Sequence, residues 1–420
     1  MKWISIILLF FFIFPIFPVF SPIPTDRMIE LLGFGYVFIA INKNQYILKN
    51  KFVLNVGGLA LILFLVAFAA QFNNTDGFET ALIKNSIDIV LLIFGAFFIC
   101  DIIRKSYKQY SIVRLLEIVV LVFFIQGVIS LLFYFLPNLY NSFTSILNTD
   151  VSQNLYERLH LSEIRLMGVG NAFFNGVIKY GICFIILTFL RYNQRSFFSQ
   201  KGWIFLFLYL FFIIVGVMTG RTFFIAILLS GLVIFYYESK KIDKFIVKIL
   251  FTPIIVFLLL VPFYLVFKHY VDVERFNKTL DFVFELFNSY EESGSFSTTS
   301  SDATLNMYVW PNRLSTWFFG DGKFLNSDGS YYMHTDVGYL RYIYYFGIIG
   351  TLTYFFIQYR MMSYFSKLAK DRNLSFMAFF LLCWVMILNL KGIANVDFFA
   401  VLFIIGALVD SHSKRGIKGI

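Results

Sequence analysis

The chain has 420 residues, of which 59% are hydrophobic and 21% aromatic, and it carries a net charge of +10. Only 14% of residues are charged, against about 25% in a soluble domain, and the mean hydropathy is +0.75. Together with long apolar runs, these values exclude a soluble globular protein and indicate an integral membrane protein.

The first apolar run, WISIILLFFFIFPIFPVF, lacks a small-residue cleavage site and is interrupted by Pro15 and Pro18. It is therefore expected to be a retained first span and not a signal peptide. Apolar windows of spanning length predict about twelve helices. They run over 3–20, 25–42, 53–71, 87–103, 114–136, 171–190, 203–219, 221–237, 246–267, 336–357, 374–390 and 395–410.

The loops alternate in charge. NKNQYILKNK, RKSYKQYSIVR, RYNQRSFFSQK, ESKKIDK, YRMMSYFSKLAKDR and the tail DSHSKRGIKGI are rich in Lys and Arg, whereas SPIPTDR, FNNTDGFET and KGIANVD are not. By the positive-inside rule both termini are expected to be cytoplasmic, and the basic excess needs no nucleic acid to explain it. The expected fold is an all-α polytopic membrane protein. Residues 1–267 carry spans one to nine with an outside loop at 137–170, residues 268–335 form a large outside loop, and residues 336–420 carry the last three spans and a basic tail.

Inside the large loop, Val273, Phe276, Leu280, Phe284 and Phe287 recur at spacings of three and four. This pattern predicts an amphipathic helix on the membrane or capping the bundle. EESGSFSTTSSDATLN follows as a polar linker. Cys100, Cys183 and Cys383 lie in apolar runs without metal-type spacing and are expected to be ordinary buried residues.

Charged residues in or beside the membrane are the best functional pointers in such a chain. Asp101 and Glu117, at basic ends of spans, are expected to snorkel or pair locally. Asn171, Asn175 and Lys179 share a four-residue spacing and form one polar stripe. It is either an interhelical seam with Lys179 paired to a carboxylate or the wall of a wet cavity open to the outside. Arg165 lies just upstream. Arg221 breaks the outside bias against basic residues, and Gly220 before it allows close backbone approach. It is read as an interfacial snorkelling residue or an anion contact.

In SYYMHTDVGYLRYIYYFGIIG, a helix starting near His334 would put His334, Gly338, Arg341 and Tyr345 on one face. Arg341 would then lie about 10 Å along the axis from His334. Gly347 and Gly350 suit close helix packing. Arg165, Arg221, Arg341 and Lys179, with Arg313 of the large loop, make a cationic outer face suited to a large anionic ligand held at the membrane. There is no carboxylate-rich metal signature, no GxxxxGK[ST] and no GxGxxG, so neither a metal nor a cofactor is expected.

Three stretches in order resemble the O-antigen polymerase and ligase superfamily: VMTGRTFFIAILLSG, NRLSTWFFGDGKF and HTDVGYLRYIYYFGIIG, with RLMGVGNAFFNGVIKYG a looser fourth. The Arg-x10-Gly spacing of some polymerases is one residue short between Arg221 and Gly231, and Thr335 stands where Asn is frequent. The resemblance implies inverting glycosyl transfer at the outer face of a bacterial inner membrane, from a glycan on undecaprenyl diphosphate. The acceptor is another lipid-linked repeat unit in a polymerase and the lipid A core in a ligase. Membrane lipids and a chain-length regulator protein are the other implied partners. It assigns Arg221 and Arg165 to the diphosphate and His334 to the acceptor hydroxyl. Arg341 and Arg313 would bind phosphate or glycan, and Asp336 would orient His334 or act as the base itself. Tyr331, Tyr332 and Trp317 are aromatic candidates for sugar stacking or for an interfacial belt. A lipid-linked oligosaccharide flippase is the alternative of another class, but it does not call for the large late loop.

Overall fold

The computed structural model describes residues 2–40, 51–148, 165–171, 173–239, 273–294 and 298–417. In chain order the helices are α1 (Lys2–Ile13), α2 (Thr25–Ala40), α3 (Lys51–Ala70), α4 (Ala81–Ser106), α5 (Ile112–Phe135) and α6 (Pro137–Thr144). Then follow α7 (Phe173–Tyr192), α8 (Phe197–Gln200), α9 (Gly202–Thr219), α10 (Phe223–Glu238) and α11 (Val273–Ser293). The last are α12 (Thr299–Asn306), α13 (Leu314–Phe319), α14 (Gly338–Ala369), α15 (Arg372–Leu388) and α16 (Asp397–Ile417). Among the described residues there is no β-strand.

The chain is an all-helical, multi-pass membrane protein. Six helices (α4, α5, α7, α9, α14 and the α3 region Asn55–Asn73) are long and apolar enough to cross a bilayer, and α1, α10 and α15 are shorter apolar helices. The expected span at 246–267 lies outside the described residues; every other expected span falls on a helix. Helix α7 is buried without a break from Tyr180 to Leu190.

Two compact units are formed: Met1–Phe12, Asp26–Leu115 and Thr299–Ile420 in the first, Ile13–Thr25 and Leu116–Thr298 in the second.

Three expectations are corrected. The first helix ends at Ile13 and not near residue 20, because Pro15 and Pro18 cannot continue it. The tenth expected span starts at Gly338 and continues to Ala369, through a segment read as a cytoplasmic loop. Part of the polar linker is helical, as α12. The expected amphipathic helix exists as α11. Val273, Leu280 and Phe284 are exposed while Thr279 is buried. Thr279 shares a hydrogen bond with Tyr134 at 2.6 Å and Arg275 Nη1 donates to the Tyr134 carbonyl at 3.1 Å, so polar contacts orient the helix. The side chain of Phe287 lies outside the described residues.

Asp101 and Glu117 are locally satisfied. Asp101 pairs with Arg104 and Lys105 and accepts from the Tyr36 hydroxyl. Glu117 accepts from the Ser196 hydroxyl at 3.1 Å and the Phe197 amide at 2.6 Å.

Candidate functional site

The residues expected to line one outer mouth belong to two units. Arg165, Asn175, Lys179 and Arg221 are in the second; Arg313, His334, Asp336 and Arg341 are in the first.

In the second unit, Arg165 opens the stretch RLMGVGN. Its backbone is not helical, yet Leu166, Met167, Val169 and Asn171 are buried. Irregular backbone among spanning helices requires protein partners for its polar groups. Here the Leu166 amide donates to the Met218 carbonyl at 3.0 Å, and Gln126 Nε2 donates to the Val169 carbonyl at 2.9 Å. The glycines are fixed by space. A Cβ on Gly168 would lie 2.3 Å from both Gln126 Nε2 and Ser130 Oγ, and Gly170, at φ +55, would put one 2.1 Å from the Pro15 carbonyl oxygen.

This seating brings Arg165 to a shared ring. Its guanidinium lies 4.7 Å from the centroid of Phe282 on α11, and that of Arg221, on the turn between α9 and α10, lies 4.5 Å from the same centroid. Arg221 forms an ion pair with Glu285, one turn along α11. Arg165 makes no ion pair among the described residues. Burial lowers the pKa of both guanidinium groups, and repulsion from Arg165 lowers that of Arg221 further. Among the described residues the two cations share one carboxylate, Glu285.

Beside the pair, a small cleft is lined by Phe133, Tyr134, Tyr140, Arg165, Met167 and Arg275.

Lys179 makes an interhelical hydrogen bond, as the seam reading expects, to a main-chain carbonyl. Its Nζ donates to the Ile13 carbonyl at 2.7 Å and lies 5.3 Å from the Phe14 ring. It therefore caps the C-terminal end of α1, where the helix leaves carbonyls unpaired. The polar stripe is not continuous: Asn171 precedes α7 and is buried, while Asn175 is exposed.

In the first unit two of the family-like stretches interlock. The amides of Asp321 and Gly322 donate to the carbonyls of Tyr344 and Tyr345, at 2.6 and 3.2 Å, just before a kink in α14 at Gly347. Gly347 sits at φ +67, and a Cβ there would lie 2.2 Å from the Phe318 carbonyl oxygen. It is thus a kink site, and the close packing expected of it is against the backbone at the end of α13. Gln71 and Glu79 fasten the same loop: Gln71 Nε2 donates to the Gly322 carbonyl and Glu79 Oε2 accepts from the Phe324 amide, at 2.8 and 2.7 Å.

His334 does not begin the helix. It lies in a turn at φ +52, next to Met333 at φ +55, and α14 starts four residues later at Gly338. The expected shared face with Arg341 is therefore lost, because a left-handed turn intervenes. Two successive non-glycine residues in this conformation are strained, by about 1–3 kcal/mol each. His334 is exposed, as is Arg313, which makes no ion pair or side-chain hydrogen bond among the described residues.

Asp336 is half-exposed, and its Oδ1 accepts from Arg341 Nη1 at 3.5 Å. Burial raises its carboxyl above the ordinary aspartate range, and the nearby Arg341 and Lys391 charges oppose this. Arg341 is held between two rings, 4.0 Å from the centroid of Phe324 and 3.7 Å from that of Tyr331.

Phe282, Glu285 and Arg275 were not among the expected site residues. Their signal is the spacing along α11: Arg275, Thr279 and Phe282 recur at four and three, a polar face that the apolar stripe masks. No protein-family model, no curated protein and no solved structure matches the chain.

Proposed function

We propose that the chain is a repeat-unit polymerase of the O-antigen polymerase and ligase type, joining polyprenyl-diphosphate-linked glycans at the outer face of a bacterial inner membrane. The observation that carries this reading is the Arg165–Phe282–Arg221 arrangement, with two guanidinium groups against one carboxylate. The ordered motifs and the alternating basic loops add to it.

In the reaction, a hydroxyl of the acceptor repeat unit attacks the anomeric carbon of the donor glycan. The bond from that carbon to the diphosphate oxygen breaks with inversion, and undecaprenyl diphosphate leaves. Arg165 and Arg221 stabilise the negative charge that grows on the leaving oxygen. Donor binding displaces Glu285 from Arg221. The resemblance assigns the acceptor hydroxyl to His334, with Asp336 to orient it or to act as the base itself. Asp336 suits this because its proton affinity is raised by burial. Arg313, exposed just before α13, is assigned to the glycan.

Deletion of the gene tests the reading. Lipopolysaccharide from the deletion strain is expected to carry a single repeat unit on its core. Bare core with accumulated polymer would indicate a ligase, and bare core with unflipped repeat units a flippase.

A further inference from the structure

Arg341 carries hydrogen-bonding capacity that the first unit does not use. Its side chain is 7% exposed. Nη1 reaches Asp336, whereas Nε and Nη2 are buried without a hydrogen-bond partner among the described residues. These two nitrogens form one edge of the guanidinium, with two parallel N–H bonds spaced to meet the two oxygens of a carboxylate or a phosphate. Buried donors of a charged group are seldom left unpaired.

The orientation of that edge is set in advance. Phe324 and Tyr331 hold the guanidinium between them, so its plane cannot turn freely. Asp336 fixes a third corner. The cover on one side is Tyr331, itself 41% exposed and followed by the left-handed Met333 and His334. The exposed turn that carries the acceptor candidates therefore also closes over Arg341.

We propose that Arg341 is a second oxyanion site, separate from the Arg165–Arg221 pair, which takes a carboxylate or phosphoryl group of the bound glycan on its Nε–Nη2 edge. The identity of the ligand as a glycan rests on the polymerase reading; the oxyanion site itself does not. Its consequence is selection for acidic repeat units, those with a uronic acid or a phosphate substituent.

The test is binding by the full chain purified in detergent, measured calorimetrically with trigalacturonate, maltotriose and inorganic phosphate. An oxyanion is expected to bind and maltotriose not to. Arg341→Lys, which keeps the charge and loses the fork, is expected to weaken that binding at least ten-fold. Binding of trigalacturonate alone assigns a carboxylate; binding of phosphate alone assigns a phosphoryl group. Asp336→Asn, which removes the competing carboxylate, is expected to tighten binding at least three-fold and decides the matter if Arg341→Lys does not fold. Unchanged oxyanion binding in either folded variant, or none by the natural chain at millimolar concentration, overturns the proposal. Arg221→Ala measured with inorganic diphosphate reports separately on the donor site, so each site can fail alone.

Discussion

The amide of Asp321 donates to the carbonyl of Tyr344 at 2.6 Å, joining the GDG loop to α14 at its kink. The join depends on Gly347, whose φ of +67 and ψ of −177 are open in practice only to glycine. We expect Gly347→Ala to cost at least about 2 kcal/mol, from backbone strain and from collision with the Phe318 carbonyl. Thermal unfolding in detergent measures it. Gly231→Ala, on α10 with open space around its Cβ position, is the control and should leave the melting temperature unchanged.

Glu285 and the donor diphosphate compete for Arg221. Replacing Glu285 with Gln keeps the shape of the side chain and removes its charge. Affinity for inorganic diphosphate should then rise several-fold, while Arg221→Ala should abolish it. A drop in affinity for Glu285→Gln would mean that the ion pair positions Arg221 for its ligand and does not compete with it.

Lys179 closes the end of α1 through the Ile13 carbonyl. Lys179→Met should lower stability by about 0.5–2 kcal/mol, as expected for a cation lost from a helix C-terminus. Diphosphate affinity of the folded protein should be retained. Lost affinity at unchanged melting temperature would return Lys179 to the substrate pocket.

Asp336 has its carboxyl raised above the ordinary aspartate value of 3.8. In that case the folded chain binds the proton more tightly than the unfolded one, so this group's contribution to stability is full below that value and is lost as pH rises through the folded pKa. Natural chain and Asp336→Asn should therefore differ in the pH dependence of their melting temperatures, the natural chain losing more between acid and neutral pH. Parallel curves would show that Asp336 titrates normally.

The helices were legible because apolar windows and the alternating basic loops report lipid exposure directly. Pro15 and Pro18 were visible as breakers, yet the window over them still read as span, since hydropathy does not register backbone constraint. The start of α14 was misplaced for a related reason: Met333 and His334 adopt left-handed angles that no side-chain pattern announces. The Ile13 carbonyl that Lys179 meets was not legible, because a main-chain acceptor leaves no side-chain pattern. Arg165 and Arg221 were legible as misplaced cations, but the ring that gathers them, Phe282, stands in a helix with many other phenylalanines.

Reconstitution is the most direct measurement. The purified chain, placed in proteoliposomes with undecaprenyl-diphosphate-linked repeat units and no nucleotide sugar, should produce a ladder of longer glycans. One undecaprenyl diphosphate should be released for each linkage formed, and Arg221→Ala should abolish both. Repeat units that stay single, with no undecaprenyl diphosphate released by a folded natural chain, would contradict the proposed activity.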